Sequence, residues 1–441
     1  MKQIFNILFK PIINEFYKGS NSLLNLSSYV FGISGTLVTL GAIILPYKVL
    51  DILNASTVTF LGMNLGKNGL LGLISLITGL TASLIQPLAG FFSDKNIKSS
   101  YGQRIPFIFV GGIGVSFFSL LLVPVQSVLG LMIIFMIINI FGNLGEGPAN
   151  ALIKDHIESK NFGSASGVFN FSRVLGAAIV LLITLQFMKN YSGPQDAQWF
   201  WGSVIFISII MLVSTIWSSL SLKPEKLNLI PQQINSKNIE KESTEWTKNQ
   251  KKKFLWFIIA FSISVTSLSS LQTFAIYFVS DVVIQSNIAQ TTTLIILVLC
   301  LTIGMIVIPA GYISDKIGKK PLLILASISG VIGPSLMIPF HTVIPVLIGC
   351  ALIGTSVGLI LSIFWAIVND LVPKDFAGRT LGFTAIAFLI GSGLARSSGF
   401  LVDWLNLQNH NWGYYFLLLL SSFSFFISPL IVLNKSVEED K

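Results

Sequence analysis

The chain has 441 residues, of which 53% are hydrophobic and only 11% charged, with a mean hydropathy of +0.78. A soluble domain carries roughly 25% charged residues, so a soluble globular chain is excluded. The net charge of +9 follows from where the basic residues fall along the chain, and it needs no nucleic-acid partner to explain it.

In chain order, residues 1–26 open with MKQIFNILFKPIINEFYKG. Scattered charge without a small-residue cleavage site reads as an amphipathic stretch on the cytoplasmic membrane surface and not as a removable leader. Apolar runs able to cross a bilayer core of about 30 Å then recur at 27–48, 69–92, 105–124, 128–152, 165–188, 199–221, 254–279, 289–313, 321–340, 343–367, 381–402 and 412–433. They lack the period-two alternation of barrel strands, which leaves helices. The expected fold is an all-α integral membrane protein with twelve transmembrane helices. It comprises an N-terminal six-helix half (27–221), a linker (222–253), a C-terminal six-helix half (254–433) and a tail (434–441).

The linker stretch SLKPEKLNLIPQQINSKNIEKESTEWTKNQKKKF (221–254) is rich in Lys, Glu, Asn and Gln, as flexible connectors are. If both termini are cytoplasmic, every basic residue falls in an inside segment except Lys48, Lys67 and Lys189 outside and Arg173 and Arg396 within spans. Lys and Arg on short loops set orientation, so this placement is the expected topology. Cys300 and Cys350 fall inside separate spans, where thiols serve as small core residues. Neither a disulfide nor a metal framework is expected, and no cofactor is implied.

The halves repeat each other. ALIKDHIESKNFGSASGVFNFSRVLG (151–176) aligns with AIVNDLVPKDFAGRTLGFTAIAFLIG (366–391) at one offset of 215 residues, pairing Asp155 with Asp370, Gly163 with Gly378 and Gly176 with Gly391. The same offset pairs Pro106 with Pro321, while GFFSDK (90–95) matches GYISDK (311–316). Near the outer ends of spans one and seven, YKVLD (47–51) echoes YFVSD (277–281). Duplicated halves are the architecture of secondary transporters that alternate access around a site at the repeat interface.

The repeated turn G-x-x-S-D-K…G-(K/Q)-(K/R)…P, after spans two and eight, resembles the cytoplasmic loop signature of the major facilitator superfamily. The resemblance implies a conformational latch built from Gly90, Asp94, Arg104 and Asp155 in one half and Gly311, Asp315, Lys319, Asp370 and Arg379 in the other. It also implies a monomer without enzymatic activity. Within the first half, SLIQPLAGFFSD (83–94), YGQRIPFI (101–108) and NLGEGPANALIKD (143–155) resemble segments of the sucrose/proton symporters. These are relatives of the glycoside–pentoside–hexuronide:cation symporters. A sugar or glycoside as substrate is what that likeness implies. The chain departs from the symporter pattern where they have Asp (Asn139 here), Arg (Asn150) and an uncharged amide (Glu146).

Among the acidic residues, Glu146 alone falls well inside a span. It lies nine residues before Asp155, about 13 Å at 1.5 Å per residue, and Arg173 lies ten residues beyond Gly163, about 15 Å in. Similar depth on consecutive spans makes them partners. Intramembrane charges are functional candidates, and two readings compete. Glu146 accepts the coupling proton and exchanges its contact with Arg173, or the pair is a fixed ion pair orienting two helices. His156, His341 and His410 fall in loops, so a histidine relay is not expected. Proton coupling is favoured over sodium coupling.

The second half has Leu361 at the repeat position of Glu146. Its polar candidates for a substrate cavity are Gln272, Tyr277, Trp365, Asn369 and Arg396, joined from the first half by Asn139 and Asn143. Arg396 suits either an anionic group on a substrate or snorkelling to the outer surface, the latter preferred. GTSVG (354–358) fits G-x-S-x-G but lies in an apolar span without a partner His and acid, where small residues permit helix packing. No G-x-x-x-x-G-K-[ST] phosphate loop occurs. The function expected is cation-coupled symport of a small polar solute. Efflux of amphipathic compounds and a non-transporting sensor or assembly protein are the alternatives.

Overall fold

The computed structural model describes residues 20–53, 58–60, 63–95, 104–156, 162–221, 248–371 and 377–435. Helices occupy nearly all of them, since in an apolar medium only the helix satisfies every backbone N–H and C=O within one segment. Span one is Ser20–Thr39, a π turn at Leu40–Ile44 and Leu45–Leu53. Spans two to six are Lys67–Lys95, Ile105–Leu120, Val128–His156, Phe162–Met188 and Ala197–Ser221. Spans seven to ten are Lys248–Asp281, Ile288–Ile317, Lys319–Leu336 and Val343–Leu371. Span eleven is Ala377–Ser397 continued by Gly399–Gln408, and span twelve is Trp412–Lys435.

Ten of these are long and apolar enough to cross a bilayer by themselves. The other two, spans three and nine, are the shortest at 16 and 18 residues. They stand at equivalent places in the repeat, with Pro106 and Pro321 near their starts. Among the described residues, strand pairing is limited to a small antiparallel hairpin between spans one and two, β1 (Val58–Phe60) and β2 (Met63–Leu65), and a single parallel bridge between Ile284 and Thr342. Across the hairpin Thr59 faces Asn64 and donates a hydroxyl hydrogen bond to the Asn64 side-chain oxygen Oδ1 at 2.6 Å.

Helix neighbours repeat as the sequence does. Span one packs on five and six, and seven packs on eleven and twelve. Span three packs on four and six, and nine packs on ten and twelve. The repeat pair Gly176 and Gly391 shows why. A Cβ on Gly176 would lie 2.2 Å from the Phe31 carbonyl oxygen, and one on Gly391 would lie 2.3 Å from that of Ser262. Only glycine allows spans one and five, and seven and eleven, to cross so closely. Gly318 takes φ +83° between spans eight and nine, a left-handed conformation that glycine adopts without a Cβ penalty.

By internal contact the chain forms two compact units, Met1–Ile44 with Thr81–Ile239, and Leu45–Leu80 with Glu240–Lys441. The second unit includes the end of span one, the hairpin and the first half of span two, segments that the repeat alone groups with the N-terminal half. Its core holds Phe257, Leu323, Ile363, Phe364 and Phe425. Hydroxyls tie spans seven and twelve together: Ser264 meets Ser428 at 2.5 Å, and Ser428 donates to the Ala260 carbonyl at 2.7 Å. Such interhelical hydrogen bonds replace the hydrophobic drive that lipid does not supply.

Candidate functional site

Span four carries Asn139, Asn143, Glu146 and Asn150 at spacings of four, three and four. That spacing places them on one helix face. The amide nitrogens of Asn139 and Asn143 are spent locally, donating at 2.9 Å to the Phe135 and Asn139 carbonyls. Glu146 and Asn150 look outward from the helix instead. Arg173 of span five reaches both, with Nη1 on the Glu146 carboxylate and Nη2 on Asn150 Oδ1 at 2.9 Å. The expected pair therefore forms, and Asn150 completes it. The Glu146 side chain is 14% exposed and that of Arg173 33%, so the pair is partly reachable and not sealed in the packing.

Two polar groups here remain unsatisfied. Arg173 Nε is buried without a hydrogen-bond partner, and so is the hydroxyl of Tyr29 in span one. The Tyr29 hydroxyl lies where a Cβ on Gly145, the residue before Glu146, would sit at 1.9 Å. Gly147, on the other side, faces the Gln86 carbonyl, 2.5 Å from where its Cβ would be. The two glycines flanking Glu146 thus let spans one and two approach the carboxylate's turn. Buried donors without partners are costly, and they are suited to a water, an ion or a solute oxygen.

Sequence reasoning missed Tyr29. Its only signal was a tyrosine placed inside an apolar run.

A second polar cluster lies within the other unit, at the hairpin end of span two. Lys67 pairs with Asp281 at 2.5 Å and sits 5.2 Å from the Tyr277 ring centre. Tyr414 donates its hydroxyl to Asp281 at 2.7 Å. Asp403 accepts from the backbone N–H of Gly69 at 2.6 Å, that of Asn68 at 3.2 Å and the Asn68 side-chain amide at 2.9 Å. A carboxylate from span eleven therefore caps the start of span two, where free N–H groups and the helix dipole favour negative charge. Gly66 and Gly69 make room, since a Cβ on either would lie within 3 Å of the Asp403 carboxylate.

The remaining candidates divide. Tyr277, expected to face a substrate, is fully buried, and its hydroxyl donates to the Pro46 carbonyl at 2.8 Å, so it braces the end of span one instead. Gln272 is exposed, as is Leu361 at the repeat position of Glu146. Arg396 runs opposite to the snorkelling expectation. Its backbone carbonyl lies against Gly72 of span two, but its guanidinium reaches Gly79, seven residues further from the hairpin end.

Among the residues expected to form the latch, Arg104 Nη1 donates to Ser93 Oγ at 3.3 Å across the loop between spans two and three. Gly311 lies against Ser362, and Lys319 begins span nine directly after Gly318. Nothing lies within 4 Å of a Cβ on Gly90, whereas a Cβ on Gly147 of span four would lie 2.5 Å from the Gln86 carbonyl and 3.4 Å from the Gly90 backbone nitrogen. The side chains of Asp94, Asp155, Asp315, Trp365, Asn369, Asp370 and Arg379 lie outside the described part of the structure.

Comparison with known proteins agrees with this architecture. The family model described as Major Facilitator Superfamily matches residues 27–396. A curated relative, the sucrose transport protein SUC4 of Arabidopsis thaliana, is 25% identical over 165 residues, 31% of this chain and 32% of that protein. Among solved structures, a bacterial homologue of the human lysosomal transporter Spinster, in an inward-facing and occupied conformation, is similar with a TM-score of 0.70. It is 14% identical, and the match covers 95% of this chain and 96% of that one. The xylose transporter XylE from E. coli gives a TM-score of 0.65 at 14% identity over 96% and 97% of the two chains. A peptide transporter, POT, in complex with alafosfalin gives 0.69 at 12% identity over 93% of each.

Proposed function

The chain belongs to the major facilitator superfamily, a family of membrane transporters and not of enzymes, and from that premise we propose that it moves a sugar or glycoside by proton symport. The observation that carries the coupling assignment is the Glu146–Arg173 ion pair, partly accessible, extended to Asn150 and flanked by the unsatisfied donors Tyr29 Oη and Arg173 Nε. A charge pair in a span is costly to bury and is kept where it does work. Protonation of Glu146 removes its charge and frees Arg173, and the states before and after protonation favour different conformations. The amide nitrogens of Asn139 and Asn143 are donated within span four, so the polar groups offered to a solute beside the ion pair are those of Glu146, Arg173 and Asn150.

Support for sugar as the solute comes from the segments 83–94, 101–108 and 143–155 and from the partial match to a sucrose transport protein. The chain spans about a third of that relative's length, and the xylose transporters share its fold. In this reading both termini are cytoplasmic, the protein sits in the cell membrane as a monomer, and the hairpin end faces outward. The latch residues hold the cytoplasmic loops in one conformation of the cycle.

The test is uptake into proteoliposomes of labelled disaccharides, glucosides and monosaccharides, with and without an inward-directed proton gradient. Accumulation that requires the gradient is expected for at least one. Uptake indifferent to the gradient overturns proton coupling. Binding without movement points to a sensor, and movement of amphipathic compounds alone points to efflux.

A further inference from the structure

The chain places two arginines inside its spans, and the structure treats them differently. Arg173 has its counter-ion in Glu146. Among the described residues no carboxylate forms an ion pair with Arg396. Its position excludes the usual escape for such a charge. Along span two, Gly72 is five residues from the helix start at Lys67, about 8 Å, and Gly79 is twelve, about 18 Å. The Arg396 backbone lies at Gly72 and its guanidinium at Gly79. The side chain thus points away from the hairpin end and toward the middle of a 29-residue helix, whereas a snorkelling arginine points the other way.

Span two is shaped to receive it. A Cβ on Gly79 would lie 2.0 Å from Arg396 Nη1, and one on Gly72 would lie 2.3 Å from the Arg396 carbonyl. Any other residue at position 79 would drive the guanidinium out. Yet the side chain is only partly buried, so its donors are reachable. A guanidinium with no counter-ion among the described residues is costly to keep at this depth, and a planar fork of N–H donors matches the oxygens of a carboxylate or phosphate.

We infer that Arg396, seated on Gly79, is the recognition group for a negatively charged substituent, so that the solute is an anionic one and not a neutral sugar. This rests on the transport reading and narrows its substrate class. The shared chemistry is an oxyanion on a small polar solute, carried as a carboxylate or as a phosphate monoester.

The experiment compares binding of glucose, glucuronate, glucose 6-phosphate and inorganic phosphate to purified protein, alongside proton-driven uptake of the same labelled compounds in proteoliposomes. Wild type is expected to bind glucuronate or glucose 6-phosphate at least tenfold more tightly than glucose, and whichever wins separates carboxylate from phosphate. Arg396→Gln is expected to bring that ratio down to about one, and Arg396→Lys to keep part of it. The lysine variant serves as the reading if the glutamine variant is not monodisperse. Glucose bound as well as or better than both charged analogues overturns the inference while leaving proton-coupled sugar uptake intact. So does a preference for anions that survives in both variants. Preferred binding of an anion without gradient-driven uptake of any member supports the inference and removes the symport reading.

Discussion

Asp403 offers the sharpest test of how the second unit is held together. Its carboxylate takes three hydrogen bonds from the first turn of span two, two of them from backbone N–H groups that no residue within that helix can satisfy. Asp403→Asn keeps size and shape but removes the charge and half of the acceptor capacity. Hydrogen bonds to a charged acceptor are worth about 1.5–3 kcal/mol each, and a charge at a helix start adds about 0.3–1 kcal/mol. With one acceptor oxygen retained, the net loss is about 2 kcal/mol, or roughly a 30-fold rise in local opening at 1.4 kcal/mol per factor of ten. Hydrogen exchange followed by mass spectrometry in detergent reads this directly. Peptides spanning Asn68 and Gly69 are expected to exchange about 30-fold faster, while those around Glu146, in the other unit, stay unchanged. No acceleration at span two, or equal acceleration throughout, would refute the capping role.

Other substitutions separate packing from function. Gly176→Ala and Gly391→Ala each force a Cβ to within 2.2–2.3 Å of a backbone carbonyl on the crossing helix. Each is expected to lower stability by about 1–3 kcal/mol, measured as the midpoint of thermal unfolding. Gly90→Ala meets nothing within 4 Å and is expected to hold or raise that midpoint, with up to about 0.5–1 kcal/mol gained from helix propensity. Tyr277→Phe loses the buried bond to the Pro46 carbonyl, with an expected cost of about 1 kcal/mol in the same assay. Lys67→Met removes a partly exposed ion pair with Asp281 and is expected to cost at most about 1 kcal/mol, falling further with added salt.

What the sequence made legible was local or periodic. Apolar run length gives the spans. The 215-residue offset gives the repeat, and the pairing of Gly176 with Gly391 anticipates two helix crossings that the structure shows to be alike. Glu146 and Arg173 were matched by depth on consecutive helices, which needs only the rise per residue. The cluster at the hairpin end is not legible as a cluster, because its contacts join residues such as Asn68 and Asp403, 335 positions apart. Only the echo of YKVLD in YFVSD hinted that residues near Tyr47 and Tyr277 belong together. For Arg396 the sequence suggests snorkelling, whereas its guanidinium lies at Gly79, away from the hairpin end. Snorkelling follows from general preference, whereas the vacancy at Gly79 is a property of a different span. Tyr29 was passed over because its importance comes from Gly145, a missing side chain on a neighbouring helix.

Coupling through Glu146 is the central claim, and one comparison tests it most directly. Wild type and Glu146→Gln are reconstituted into proteoliposomes, and proton-driven accumulation is measured beside counterflow exchange at equal pH on both sides. Glutamine keeps an acceptor oxygen for Arg173 but cannot take up a proton. Accumulation is expected to vanish while counterflow persists. Accumulation that survives in the variant contradicts the coupling role, and equal loss of both activities in folded protein assigns the pair to structure instead.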